Sequence, residues 1–143
     1  MDPYRDVAAA LGTKVGRSGR SLPFDLIAQI ETGLPVSSLD RLSEAIAPDD
    51  VSFKFRIVPR ATYARRKKKR RLSAAESADV ARLARVWSFA KEVWRSDGEA
   101  RDFLFRRNLL LEDRRPIDVA ISSDIGARLV EDLLGKLAYG SAV

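Results

Sequence analysis

Residues 50–77, "DVSFKFRIVPRATYARRKKKRRLSAAES", decide how the chain is read. Their first part admits two conformations. Val51, Phe53, Phe55 and Ile57 alternate with Ser52, Lys54 and Arg56, which by period alone gives a strand. The same residues also form the i,i+4 pairs Val51/Phe55 and Phe53/Ile57, which share one face of a helix. Local pattern slightly favours the strand. Topology favours the helix, because no second stretch of similar quality exists to pair with it, and residues 51–57 are expected to be helical. A turn at Val58-Pro59 leads to a second helix carrying Arg60, Thr62, Tyr63, Arg65 and Arg66. Two short helices about a tight turn, the second basic, make the helix-turn-helix plan, whose second helix enters the major groove of DNA.

The basic run from Arg65 to Arg71 then stands out. The chain has 26 Lys and Arg against 20 Asp and Glu, and removing this run leaves 19 against 20. All of the net positive charge therefore sits in one short stretch. A solvated charge run between domains and a nuclear localisation signal are alternatives to a nucleic-acid grip. The preceding residues favour DNA. Thr62 and Tyr63 are expected to touch base edges or phosphates, and Arg60, Arg65 and Arg66 to reach guanine edges or the backbone. Lys67, Lys68, Lys69, Arg70 and Arg71 would follow the phosphates as the helix leaves the groove. Four phosphate contacts per protomer imply a log–log salt slope of about −3.6.

Working outward, the rest reads as short capped helices. "DPYRDVAAALG" is a weak first helix closed by Gly12, and "TKVGRSGRS" a glycine- and serine-bearing loop expected to move. "LPFDLIAQIETGLP" starts at Pro23 and stops at Gly33 and Pro35. In "VSSLDRLSEAIAPDD", Ser37 or Ser38 is the expected cap, and Leu39, Leu42 and Ile46 make one stripe. Beyond the basic run, Ser73 and Glu76 form a capping box. It opens a long helix with Val80, Leu83, Ala84, Trp87, Ala90 and Trp94 on one face. Trp87 and Trp94 read as core or dimer contacts. A helix over "EARDFLFRR", a loop over "NLLLEDRR" and a Pro116-led helical turn follow. The last helix, "DIGARLVEDLLGKLAYG", is capped by Ser122 or Ser123 and stopped by Gly140, with Ile125, Leu129, Leu133 and Leu137 as its expected core stripe. Beside that stripe it presents Asp124, Arg128, Glu131, Asp132, Lys136 and Tyr139. Charged groups flanking apolar anchors suit a steered protein interface. Tyr139-Gly140, at the end of the helix, suits insertion into a cleft.

Composition excludes much chemistry. The chain has neither cysteine nor histidine, which removes disulfides, Cys/His zinc sites and Ser-His or Cys-His nucleophile systems. A small enzyme using Glu112 and Asp113 would lack a paired base or ligand set. No apolar run approaches membrane-spanning length and the first residues lack the pattern of a signal peptide. The expected architecture is all-α. A segment at 1–21 precedes a helix-turn-helix-like bundle at 22–71 and a C-terminal helical bundle at 72–143.

Residues 71–108 and 114–140 resemble the toxin-binding domain of Xre/ParS-type antitoxins, partners of RES-domain toxins. The resemblance rests on the "LS-x-x-ES" start at Leu72, Ser73, Glu76 and Ser77, and on the Pro-led turn from Pro116 to Ala120. The closing helix pattern at Gly126, Val130, Leu134 and Gly140 completes it. Upstream, "GLPVSSLDRLSEAIA" and "RIVPRATYARRKK" are similar to the family's Xre-like DNA-binding region. Two stretches depart from the family. Phe103-Leu104 stands where it usually has Trp-Leu, and Leu111-Glu112-Asp113 where it usually has a glycine-rich Leu-Gly-Gly turn. The resemblance implies a cytoplasmic antitoxin, a homodimer within a larger complex, that needs no cofactor and does no chemistry. Its C-terminal bundle, through Asp124, Arg128, Glu131, Asp132, Lys136, Tyr139 and Gly140, would occlude the active site of an NAD-consuming RES toxin. Its basic region would bind operator DNA and repress its own operon. The alternative is a stand-alone helix-turn-helix repressor with a helical dimerisation domain.

Overall fold

The computed structural model describes residues 2–15 and 19–140. Among them are eight α-helices and no strands: α1 (Pro3–Leu11), α2 (Leu22–Thr32), α3 (Val36–Ile46), α4 (Arg60–Lys69), α5 (Ala74–Trp94), α6 (Asp97–Phe105), α7 (Pro116–Ser122) and α8 (Asp124–Tyr139). Two compact units divide the chain, Met1–Ala84 and Arg85–Val143. Sequence pattern alone places the division at residue 71, at the end of the basic run. The packing division falls later, inside α5, because the start of α5 is bonded into the first unit. There the Leu34 N–H donates to the buried Ser77 hydroxyl at 2.8 Å, and Arg66 grips Glu76.

In the first unit, α1 buries Val7, Ala8 and Leu11. The loop expected to move begins directly after it, and its residues 16–18 lie outside the described residues. Ser38, expected to cap α3, instead donates its hydroxyl to the Leu11 carbonyl at 2.8 Å. The helix starts earlier, directly behind Pro35. Leu39, Leu42 and Ile46 do form the expected buried stripe of α3. Residues 51–57 are neither strand nor full helix. Only Phe53–Arg56 coil, as a single 3₁₀ turn, and Val51 is 88% exposed. Asp50 ends any longer helix, since its carboxylate takes the Ser52 N–H and hydroxyl at 3.0 and 2.7 Å, a local bond that competes with helical ones. Phe53 and Val58, not the i,i+4 pairs, enter the core.

The α4–α5 connection is clipped to the α2–α3 connection. Leu72 N–H donates to Leu34 carbonyl at 2.9 Å and Val36 N–H to Arg70 carbonyl at 3.2 Å. Gly33 makes this possible: at φ 108° a side chain there would be strained, and its Cβ would collide with the Leu72 carbonyl.

In the second unit, α7 and α8 form a helical hairpin closed at Gly126. A Cβ at that position would strike the Val119 carbonyl oxygen. Close approach at Gly126 turns Gly126, Ala127, Val130, Leu133 and Leu134 inward. Ile125, Leu129 and Leu137 are 83%, 48% and 48% exposed, so the expected core stripe is corrected to one residue, Leu133. On α5, Trp87 is fully buried and Trp94 is half-buried, its ring 5.8 Å from that of Phe103.

Candidate DNA-binding and toxin-binding surfaces

Helix α4 starts behind Pro59, which presets the entry angle, and ends at Arg70 in left-handed backbone (φ 62°). Its last turn carries Arg66, Lys67, Lys68 and Lys69, which face the negative end of the helix dipole. Tyr63 fixes its inner face. The ring is 7% exposed, and its hydroxyl donates to Asp40 on α3 at 2.7 Å. The Lys54 ammonium, from the 3₁₀ turn, donates to both Asp40 and the Tyr63 hydroxyl at 3.1 Å. It also lies 4.6 Å from the centre of the Tyr63 ring, and Phe55 meets that ring edge-on at 5.4 Å. Burial works against the Lys54 charge, but the Tyr63 and Asp40 oxygens outweigh it and raise its pKa. The same burial, joined by Asp40, raises that of Tyr63. The network ties three elements together where a longer first helix would have done so by packing.

Tyr63 is therefore turned away from any groove; its expected contact with bases gives way to a role in seating α4. Arg66 is also engaged internally. Its guanidinium makes a two-pronged contact with Glu76, at 2.8 and 3.3 Å, while Glu76 takes the Ser73 N–H at 2.9 Å and Ser73 caps the Glu76 N–H at 3.1 Å. Burial would raise the Glu76 pKa, but the Arg66 and Ser73 donors hold it below the usual value. Arg71 donates to the Gly33 carbonyl at 2.8 Å. What α4 offers outward is Arg65, Lys67, Lys68, Lys69 and Arg70, all exposed, with half-buried Thr62 beside Arg65. At 100° per residue, Arg65 and Lys68 lie opposite Tyr63. Arg60 is exposed and its guanidinium stacks 4.1 Å from the Phe55 ring centre.

On α8 the expected charged residues split. Glu131 is held by Arg85 through a two-pronged pair at 2.8 and 2.9 Å, and Arg128 bonds Asp132 at 3.2 Å. Asp124, Lys136, Tyr139 and Gly140 are exposed. The row that helical spacing assigns to the core, Ile125, Leu129 and Leu137, is instead exposed, with Tyr139 at 77% exposure beyond it. A second apolar feature, which spacing does not signal at all, is Leu109 and Leu110 at 86% and 76% exposure, in the 3₁₀ turn Leu109–Leu111. The following Glu112 and Asp113 have φ of 55° and 62°, left-handed backbone that costs a residue with a Cβ about 1–2 kcal/mol.

Among the described residues no cluster of His, Cys, Asp or Glu is able to hold a metal, and no helix is long and apolar enough to cross a membrane. The fold defines a two-part binding protein: a helical unit with a basic helix seated for DNA, then one with an unpaired apolar helix face. Residues 25–85 match the family model of the antitoxin Xre-like helix-turn-helix domain, and residues 89–140 that of the antitoxin Xre/MbcA/ParS C-terminal toxin-binding domain. The chain belongs to the Xre/ParS-type antitoxins, whose domains regulate and bind and are not enzymes. Among curated proteins, none matches it in sequence. The two matched stretches meet close to Ala84, where the compact units divide.

Proposed function

We propose that the chain neutralises a RES-domain, NAD-consuming toxin and represses its own operon. The observation that carries the first half is the exposed row Ile125, Leu129 and Leu137 on α8, ending at Tyr139, inside the stretch matching the toxin-binding domain. Apolar side chains left bare along a helix favour burial against a partner, and Asp124, Arg128, Asp132 and Lys136 flank them as charges suited to fixing register. Insertion of this helix end, with Tyr139 and Gly140, into the toxin's cleft blocks access of NAD. The antitoxin needs no cofactor for this. The second half rests on α4: Arg65 and Lys68 face the groove, and Lys67, Lys69 and Arg70 run along phosphates. A homodimer reads paired half-sites, as helix-turn-helix proteins do, and toxin and antitoxin meet in the cytoplasm.

The test is to mix the protein with the toxin encoded beside it and follow NAD. The wild type should stop NAD loss, and Leu129→Asp should restore it while operator binding is kept. Undiminished NAD consumption with wild type would leave a stand-alone repressor as the reading.

A further inference from the structure

The segment from Asn108 to Arg114 is a closed turn. Asn108 and Arg114 pair as an antiparallel bridge, with the Asn108 N–H donating to the Arg114 carbonyl at 3.0 Å. Inside it, the Asp113 N–H donates to the Asn108 carbonyl at 3.0 Å, and the Asn108 side chain accepts the Leu110 N–H at 2.9 Å. Leu111 is driven into the core at 4% exposure, while its neighbours Leu109 and Leu110 are left almost bare. The left-handed backbone at Glu112 and Asp113 persists only because these bonds over-determine it. A loop that merely joins α6 to α7 has no need of two adjacent bare leucines on a fixed, strained turn.

The turn is also continuous with α8. A cavity of about 430 Å³ is lined by Trp94, Phe103, Asn108 and Leu137 and by charges of both signs, Arg106 and Arg107 with Glu99 and Asp102. It runs from the base of the turn to the end of the exposed α8 row. The Trp94 indole N–H, buried at this site, has no acceptor. Arg106, Arg107 and Arg114 are exposed beside the turn, balanced by the exposed carboxylates of Asp102, Glu112 and Asp113, the last of them 3.8 Å from Arg107.

We propose that the 108–114 turn is a second anchor for the toxin, separate from α8, and that it seats Leu109 and Leu110 in an apolar groove of the toxin. Two observations choose this occupant: the turn lies in the stretch matching the toxin-binding domain, and the cavity joins it to the exposed row of α8. The inference rests on the toxin-binding reading of that domain. Rigid presentation lowers the ordering cost of association, which is what an anchor requires.

Leu109→Asp, Leu110→Asp and the double variant test it in the full chain, against the toxin encoded beside the antitoxin. Both side chains are exposed, so helicity and operator binding should match wild type. Toxin affinity should fall about 30-fold or more in the double variant, the loss of a hot spot. Wild-type toxin affinity in the double variant would overturn the second anchor, as would unchanged affinity joined to loss of self-association, which would assign the turn to a second copy. Failure of the wild type to bind toxin at all would remove the domain reading and the inference with it.

Discussion

Tyr63 shows what one side chain can decide. Its hydroxyl sits between a carboxylate and an ammonium from two other elements, and its ring fills the inner face of α4. Tyr63→Phe keeps the ring and removes the bond to the Asp40 charge, a contribution of about 1.5–3 kcal/mol. We expect operator affinity to fall about tenfold, because a loosened helix no longer holds Arg65 and Lys68 in register. The salt slope should stay as in wild type, since every group that meets a phosphate is kept. Anisotropy titrations across salt concentrations check both, and wild-type operator affinity in the variant would show that the hydroxyl does not hold α4 in place. The inward turn of Tyr63 is not legible in the sequence. Spacing along α4 shows that Tyr63 and Arg66 share a face, but its partners Asp40 and Lys54 come from other elements. The left-handed turn at Glu112 and Asp113 is legible only through the family's Leu-Gly-Gly at that place, since Glu and Asp do not signal positive φ as glycine does.

At the level of elements, caps and stops are the most legible signals. The Ser73–Glu76 capping box, the Pro59 entry to α4 and the Pro116 start of α7 all form as read, because each is a bond or a fixed φ within four residues. Longer-range choices are not legible in this way. On α8 the rows Ile125/Leu129/Leu133/Leu137 and Gly126/Val130/Leu133/Leu134 are both helical periods, and only the close approach of Gly126 to the Val119 carbonyl chooses between them. Periodicity therefore finds the helix and misassigns its buried face. The junction of α4 with α5 carries a pH prediction. The Glu76 pKa is depressed in the folded state, so its stabilising share is complete above the ordinary carboxylate value near 4.5 and is lost as pH falls through the lowered folded value. Thermal melts on the acid side should show this loss, and Glu76→Gln, which keeps an N3 acceptor for the cap, should flatten it. An unchanged acid limb in the variant would assign the sensitivity to other carboxylates.

Across the whole molecule, the two units carry different work and different charge. The all-α class, the basic helix and the order of DNA-binding then toxin-binding parts are legible from composition and family resemblance. The place where packing divides is not, because the Leu34–Ser77 bond that holds the start of α5 in the first unit links residues 43 apart. Replacing Lys67, Lys68, Lys69 and Arg70 by Gln should weaken binding to every duplex and reduce the salt slope by about 0.9 for each phosphate no longer neutralised. Toxin inhibition should be untouched, since the run lies in the unit Met1–Ala84. A fall in inhibition would give the run a place in the protein interface.

Both tryptophans of the chain, Trp87 and Trp94, fall in Arg85–Val143. Emission excited at the red edge of indole absorption therefore reports that unit alone. A denaturant titration followed by fluorescence and again by far-ultraviolet dichroism reads one unit against both, and the gap between the two midpoints measures how independently the DNA-binding half melts.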